Sequence, residues 1–212
     1  VHNEGYKFLV IFGIITLVFY FLNTFLGLIG FILTIWCYYF FRDPDRYPIN
    51  DDDYLVSPAD GVVLQVKESN GPKELSLENK TFTKVSIFMN VFDCHVNRTP
   101  CSGKISQILY KSGKFFNASL DKASEDNERN YYKIINQKGE NIIVVQIAGL
   151  IARRIVCETN ENSDGENIIV VQIAGLVARR IVTEVSKDEL VEQGSRIGMI
   201  RFGSRADMYF EN

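Results

Sequence analysis

Residues 8–41 run without a single charged side chain and are dense in Phe, Leu, Ile and Val, and this run constrains the fold more than any other feature of the chain. One membrane-crossing helix needs about 20 apolar residues. These 34 positions exceed one crossing and barely suffice for two, unless the helices are short or a hairpin dips into one leaflet. Asn23, Thr24, Gly27 and Gly30 lie mid-run, where a hairpin turns. A secretory signal has an apolar core of about 7–15 residues followed by a small-residue cleavage site. This run is longer and closes on Trp36, Tyr38, Tyr39, Phe40 and Phe41 before Arg42, the interfacial belt of a retained anchor. The stretch FFRDPDRYP at 40–48, with two prolines and four charges, ends any helix and opens a second unit. Residues 1–46 therefore read as a membrane anchor, a helical hairpin or long helix, and 47–212 as a folded domain.

The formal net charge is −3 and the Lys and Arg residues are scattered, so the chain carries no nucleic-acid footprint. Four cysteines, Cys37, Cys94, Cys101 and Cys157, form no CxxC pair and no His-linked spacing. No zinc or other metal site is expected, and isolated thiols suit a reducing compartment. From Tyr54 onward, short β-type runs alternate with Gly, Asn and Asp. Strands are predicted at 61–66, 84–90, 103–109, 131–135, 142–147, 168–173 and 197–202, while polar 118–129 reads as helix or long loop. The fold class is mainly β, a β-sandwich or barrel-like catalytic domain behind an N-terminal hydrophobic helical membrane anchor.

One internal repeat stands out. Residues 139–156 (GENIIVVQIAGLIARRIV) return as 165–182 (GENIIVVQIAGLVARRIV), differing only at Ile151 and Val177. Two copies are too few for a solenoid, and near-identical segments compete for one slot in a sheet. The reading is a tandem duplication with one copy in the core. The second copy, which leads into the C-terminal apolar stretch, is expected to be the native-like one.

Chemistry has few places to reside. Gly203-Ser204 sits inside Ile200-Arg201-Phe202-Gly203-Ser204-Arg205-Ala206-Asp207-Met208-Tyr209-Phe210. A Gly-Ser pair there reads as a turn between two strands. It is equally the pair that self-cleavage requires: a Ser hydroxyl beside an unhindered Gly carbonyl, able to turn amide into ester and, by elimination, Ser into a pyruvoyl group. His95 is the one histidine after the anchor, so any imidazole-based proton transfer near neutral pH uses it, unless it is a structural residue at a strand end. Asp60 in SPADG either caps a turn or does chemistry. The pairs Arg153-Arg154 and Arg179-Arg180 either meet an anionic group or are solvated strand ends.

Together these segments resemble the short-form phosphatidylserine decarboxylase family, whose members are pyruvoyl enzymes made by self-cleavage at Gly-Ser. The matches run in the family's order: the apolar N-terminus ending in FFRDPDRYP, SPADG at 57–61, FDCHVNRTPCSGKI at 92–105, GKFFNASLDKASEDNERN at 113–130, QIAGLVARRIV and IRFGSRADMYF. The resemblance implies decarboxylation of phosphatidylserine to phosphatidylethanolamine by a pyruvoyl group derived from Ser204, with cleavage between Gly203 and Ser204. It implies His95 and Asp60 as catalytic partners, and Arg179, Arg180 and Asn97 as candidate substrate-binding residues. The longer bacterial form has a second His where this chain has Arg98, so Asp60 and His95 serve alone or with an unidentified base. Also implied are a phospholipid substrate, a heterodimer of large and small fragments from one proenzyme, higher oligomers, and a bacterial inner membrane location with the domain on the cytoplasmic side. The duplication is not part of the family pattern, and family members continue past position 212, so a small fragment starting at Ser204 is expected to hold little apolar surface. The alternatives are an inactive membrane-anchored β domain of the same fold, or a decarboxylase of another serine-headed lipid.

Overall fold

The computed structural model describes residues 1–49, 51–114, 116–119, 123–149, 181–200 and 204–211. Two apolar helices open the chain, α1 (Asn3–Leu22) and α2 (Thr24–Phe40). Between them Asn23 is extended, and its Oδ1 accepts from the N–H groups of Phe25 and Leu26 at 2.8 and 3.4 Å, satisfying donors that a helix start leaves orphaned. The turn thus falls on Asn23, while Gly27 and Gly30 lie inside α2 against α1. A Cβ at Gly27 would meet Tyr20 Cα at 2.7 Å, and one at Gly30 would meet Thr16 Oγ1 at 2.9 Å. Their small size lets the backbones approach, and the Thr16 and Thr34 hydroxyls hydrogen-bond across the seam at 2.9 Å. At about 1.5 Å rise per residue, a 20-residue helix matches the roughly 30 Å hydrocarbon core. Among the described residues α1 alone reaches that length with an apolar composition; α2, at 17 residues, is shorter. The outward side chains of both helices, such as Val10, Leu17, Phe21, Phe25 and Phe31, are exposed.

The open end of this hairpin is fastened to the domain. Cys37, Phe40 and Phe41 bury against Met199 and Val182, the His2 N–H donates to Phe41 O at 2.8 Å, and the His2 imidazole pairs with Glu184.

Antiparallel strands follow: β1 (Val62–Asn70), β2 (Thr81–Met89), β3 (Val96–Arg98), β4 (Gly103–Lys111), β5 (Arg129–Asn136), β6 (Asn141–Ala148), β7 (Ile181–Thr183), β8 (Leu190–Val191), β9 (Arg196–Ile200) and β10 (Ser204–Phe210). They form a seven-stranded sheet ordered β1-β2-β10-β6-β5-β4-β8 and a three-stranded sheet ordered β3-β9-β7. Neither sheet closes on itself among the described residues, so the arrangement is a two-sheet one rather than the barrel that was the other expectation. The period-2 alternation of strands divides the large sheet's faces. Tyr132, Ile134, Ile142, Val144 and Met208 pack with Val185, Val191 and Ile197 in one core. Tyr131, Ile143, Val145, Ile147 and Tyr209 pack on the other face under Leu75 and Leu77. Within the polar stretch 118–129 a single helical turn, Ala123–Asp126, precedes β5.

The expectation that the second copy is the native-like one falls largely on residues 165–180, which lie outside the described residues. The sheet takes β6 from the first copy, whereas the second copy supplies Ile181 and Val182 of β7; the predicted strand at 168–173 lies outside the described residues. Loop length gives the reason. The first copy follows β5 through a tight turn with Gly139 at φ +80°, so its pairing closes the shortest possible loop. The end of the second copy runs directly toward β8 and β9, so β7 reaches its β9 partner with equally little slack.

Candidate active site

The SPADG loop is held against β3. The Arg98 N–H donates to Pro58 O at 2.9 Å, and the Ser57 hydroxyl turns the loop by donating to Ala59 O at 2.7 Å. Gly61 then enters β1 at φ +152°, where a Cβ would lie 2.2 Å from Phe88 O; a side chain there would prise β1 from β2. Asp60 is partly exposed and pairs with Arg46 of the FFRDPDRYP segment. Both line a pocket of about 260 Å³ together with Tyr47, Pro58, Cys94 and Arg98. Nothing in the sequence pattern singled out Arg46 beyond its place among the charges that end the anchor.

Arg98 occupies the position where a second histidine was looked for, and its guanidinium is fully engaged. It donates to Gly194 O at 2.9 Å, Pro44 O at 2.9 Å and Asp43 Oδ1 at 3.1 Å. It fastens the linker to the domain, and Arg196 grips the same Asp43 at 2.7 Å.

His95 is wholly buried. Its ring lies 4.5 Å from that of Phe40, the last residue of α2. Nδ1 faces the Asp93 carbonyl at 3.0 Å; since a carbonyl only accepts, Nδ1 carries the proton and Nε2 the lone pair. Nε2 is buried and, among the described residues, has no hydrogen-bond partner. Burial pushes the imidazole pKa down to about 4, with the Asp93 carbonyl and carboxylate opposing the shift. His95 is therefore neutral at pH 7 and acts as a base before it can act as an acid. The same burial makes a stability prediction. In the unfolded chain a histidine titrates near 6.5, so between pH 6.5 and about 4 the unfolded state binds the extra proton and stability falls as pH falls. The loss by pH 4 amounts to roughly 3 kcal/mol. Thermal melts of the parent and His95→Gln from pH 7 to pH 4 should show a shallower slope in the variant, and equal slopes would contradict a buried neutral ring.

Ser204 opens β10, the strand between β2 and β6, opposite Met89 on one side and Ala148 on the other. It is fully buried, with Oγ 4.0 Å from Met89 Sδ. Ala59, Ile87, Met89, Ile200 and Ala206 form one apolar cluster around it, and the Ile200 N–H donates to His95 O at 3.1 Å. The structure thus brings the SPADG loop, through Ala59, and β3, through Asn97, to Met89, a residue the sequence did not mark that lies opposite the start of β10. Asn97 is fully buried rather than on the pocket wall. Its Nδ2 faces Pro58 O at 3.4 Å and Met89 Sδ at 3.6 Å. Gly203, Arg179 and Arg180 lie outside the described residues.

The phosphatidylserine decarboxylase family profile matches residues 33–164 and again 156–212, each match taking in one copy of the duplicated segment. A phosphatidylserine decarboxylase proenzyme of Pelagibacter ubique is 66% identical over the whole chain and 86% of the relative's length. Proenzymes of the same name from Ruegeria pomeroyi and Rickettsia typhi are 47% and 46% identical over 98% and 99% of the chain, covering 83% and 79% of their own lengths. The chain belongs to the phosphatidylserine decarboxylase family, as the motif order implied.

Proposed function

We propose that this chain is a proenzyme that cleaves itself between Gly203 and Ser204 and then decarboxylates phosphatidylserine to phosphatidylethanolamine at a membrane surface. The observation that carries the proposal is Ser204 itself: a buried hydroxyl at the head of a central strand, against a sulfur that accepts hydrogen bonds weakly. His95, whose carbonyl accepts from the Ile200 N–H, keeps Nε2 unprotonated and, among the described residues, without a hydrogen-bond partner. Both features suit a serine destined to become a pyruvoyl group. In the first step Ser204 Oγ bonds to the Gly203 carbonyl carbon, the hydroxyl proton passes to a base, the C–N bond breaks, and the released amine takes a proton. Loss of the Ser204 Cα proton then expels the Gly203 carboxylate, and water replaces ammonia to leave the ketone.

A pyruvoyl group supplies an electron sink for the carbanion left when carbon dioxide departs. The remaining work falls to the chain's own residues. The pocket beside Asp60 and Cys94 presents the Arg46 guanidinium, suited to a phosphodiester or carboxylate. His95 Nε2 can take a proton during cleavage and return one to the product carbon. The apolar hairpin, packed onto His95 through Phe40, holds this pocket where a lipid headgroup resides. The supporting location is the cell membrane of a bacterium, and the product of cleavage is a large and a small fragment that remain together.

Intact-mass measurement on the detergent-purified chain tests the reading. Two fragments are expected, one ending at Gly203 and one beginning with a blocked residue at 204. A single species at 24.2 kDa with an unmodified Ser204 would leave only an inactive fold of the family.

A further inference from the structure

One turn of the domain sits level with the end of the hairpin, and an exposed phenylalanine stands at its apex. Residues 90–93 form this turn between β2 and β3. The Asp93 N–H donates to Asn90 O at 3.0 Å, the Phe92 N–H to Asn90 Oδ1 at 2.8 Å, and the Asn90 N–H to Asp93 Oδ2 at 2.9 Å. The Asn and Asp side chains thus close the turn themselves. The Phe92 ring takes no part in these bonds, and the residue is 61% exposed. A single exposed aromatic residue carries no message alone; the position of this one does. Arg42, two residues past α2, donates through Nη1 to Tyr39 O at 3.1 Å and through Nη2 to Phe92 O at 2.8 Å. Its guanidinium lies 4.0 Å from the centre of the Tyr39 ring. One planar fork therefore holds the apex of the turn beside the last turn of α2. The Cys94 thiol, donating to Arg42 O at 3.4 Å, ties the same two segments a second time.

The hairpin says what lies at that level. Its turn at Asn23 is the far end, and its open end, where α2 closes on exposed Tyr38 and Tyr39, is fastened to the domain. Tyrosines closing an apolar helix, followed by an arginine, mark the headgroup boundary of a bilayer. We propose that the 90–93 turn is a second membrane contact, in which Phe92 enters the boundary between headgroups and acyl chains beside α2. The inference rests on the reading of the hairpin as a membrane anchor. The occupant is lipid rather than a protein partner because one guanidinium touches both surfaces, so whatever covers the end of α2 also covers the turn. The consequence reaches the candidate active site. The turn runs directly into Cys94, which lines the pocket with Arg46 and Asp60, and into His95, packed on Phe40. A hairpin alone leaves a domain free to pivot about its end. A second contact at Phe92 fixes the tilt and holds the pocket at the depth of the headgroups.

Tryptophan fluorescence reads this contact without recourse to activity. The chain has one tryptophan, Trp36 of α2. In phosphatidylcholine–phosphatidylglycerol vesicles the parent therefore reports the anchor, and Trp36→Phe/Phe92→Trp reports the turn. With lipids brominated on their acyl chains, position 92 should be quenched to a degree comparable with Trp36, most strongly by bromines nearest the headgroup, and should resist aqueous iodide. Phe92→Trp on its own, read as emission added to that of the parent, serves where the double variant fails to fold. Emission at 92 that iodide quenches and brominated lipid does not would overturn the inference, while an unquenched parental Trp36 would overturn the anchor itself. Phe92→Ser extends the test to a chain with no added aromatic group. It should stay with the vesicles, since the hairpin is untouched, and melt as the parent does. Its KM for phosphatidylserine in vesicles should rise about tenfold, equivalent to about 1.4 kcal/mol, with kcat on a dispersed short-chain phosphatidylserine unchanged. An unaltered KM on vesicles would overturn the contact, as would an equal loss on both substrates, which marks a defect in the site. A parent without turnover overturns the proposed activity and leaves the quenching to decide the contact.

Discussion

Ser204→Ala is expected to yield a single unbroken polypeptide with no detectable decarboxylation of phosphatidylserine. The two losses have one cause. Without Oγ no ester can form between residues 203 and 204, without the ester nothing can be eliminated, and without elimination no ketone exists to take the electrons of the departing carboxylate. The fold should not change, because among the described residues the hydroxyl makes one weak contact, to Met89 Sδ at 4.0 Å, and Ala removes only that oxygen. The melting temperature should therefore stay within about 2 °C of the uncleaved parent, taking well under 1 kcal/mol for so weak a contact. Mass spectrometry of the purified variant and a carbon dioxide release assay decide the outcome. Fragments divided at 203/204 in the variant would move the cleavage chemistry to another residue, and turnover without cleavage would remove the need for a pyruvoyl group.

How far the sequence foretold this site differs from residue to residue. The two apolar helices were legible because the run is charge-free and long enough for both with Asn23 between them, and the strands were legible wherever β-branched residues clustered between Gly and Asn. Ser204, His95 and Asp60 were legible only through their motif company. The short strands Val96–Arg98 and Leu190–Val191 were not, since two or three residues carry no periodicity. Nor was Met89, whose importance comes from sitting opposite Ser204 across paired strands, a relation that no local pattern encodes. The placement of the first copy was likewise not legible. Sequence neighbourhood to Gly203-Ser204 pointed to the second copy, while loop closure onto β5 gave β6 to the first. The expected weakness of a fragment starting at Ser204 also overlooked placement: β10 is an interior strand, paired on both edges, and Ser204 through Tyr209 are all buried.

That placement leads to the largest stability effect expected of any single change. Alternate residues of β10 face the second side of the sheet, and there Arg205 Nε meets Asp207 Oδ1 at 2.6 Å while Lys84 Nζ meets Asp207 Oδ2 at 2.9 Å. Arg205 also donates to Ser86 Oγ at 2.7 Å. Arg205 and Asp207 are essentially inaccessible, and Lys84 nearly so. Asp207 is the carboxylate that both cations share, so Asp207→Ala removes a buried counter-ion from both at once. Removing one partner of a buried pair costs about 3–5 kcal/mol, and for a chain of this size that lowers the melting temperature by roughly 6–20 °C. Asp207→Asn should cost less, because its carbonyl still accepts from Arg205. On the proposed cleavage, the head of β10 loses its covalent tie to residue 203 and is held by its ladders to β2 and β6 and by this ion cluster. Asp207→Ala should therefore release the small fragment from the large one on gel filtration in detergent, where the parent keeps both in one peak. An unshifted melt together with an intact two-fragment peak would mean that the strand ladders alone hold β10 in place.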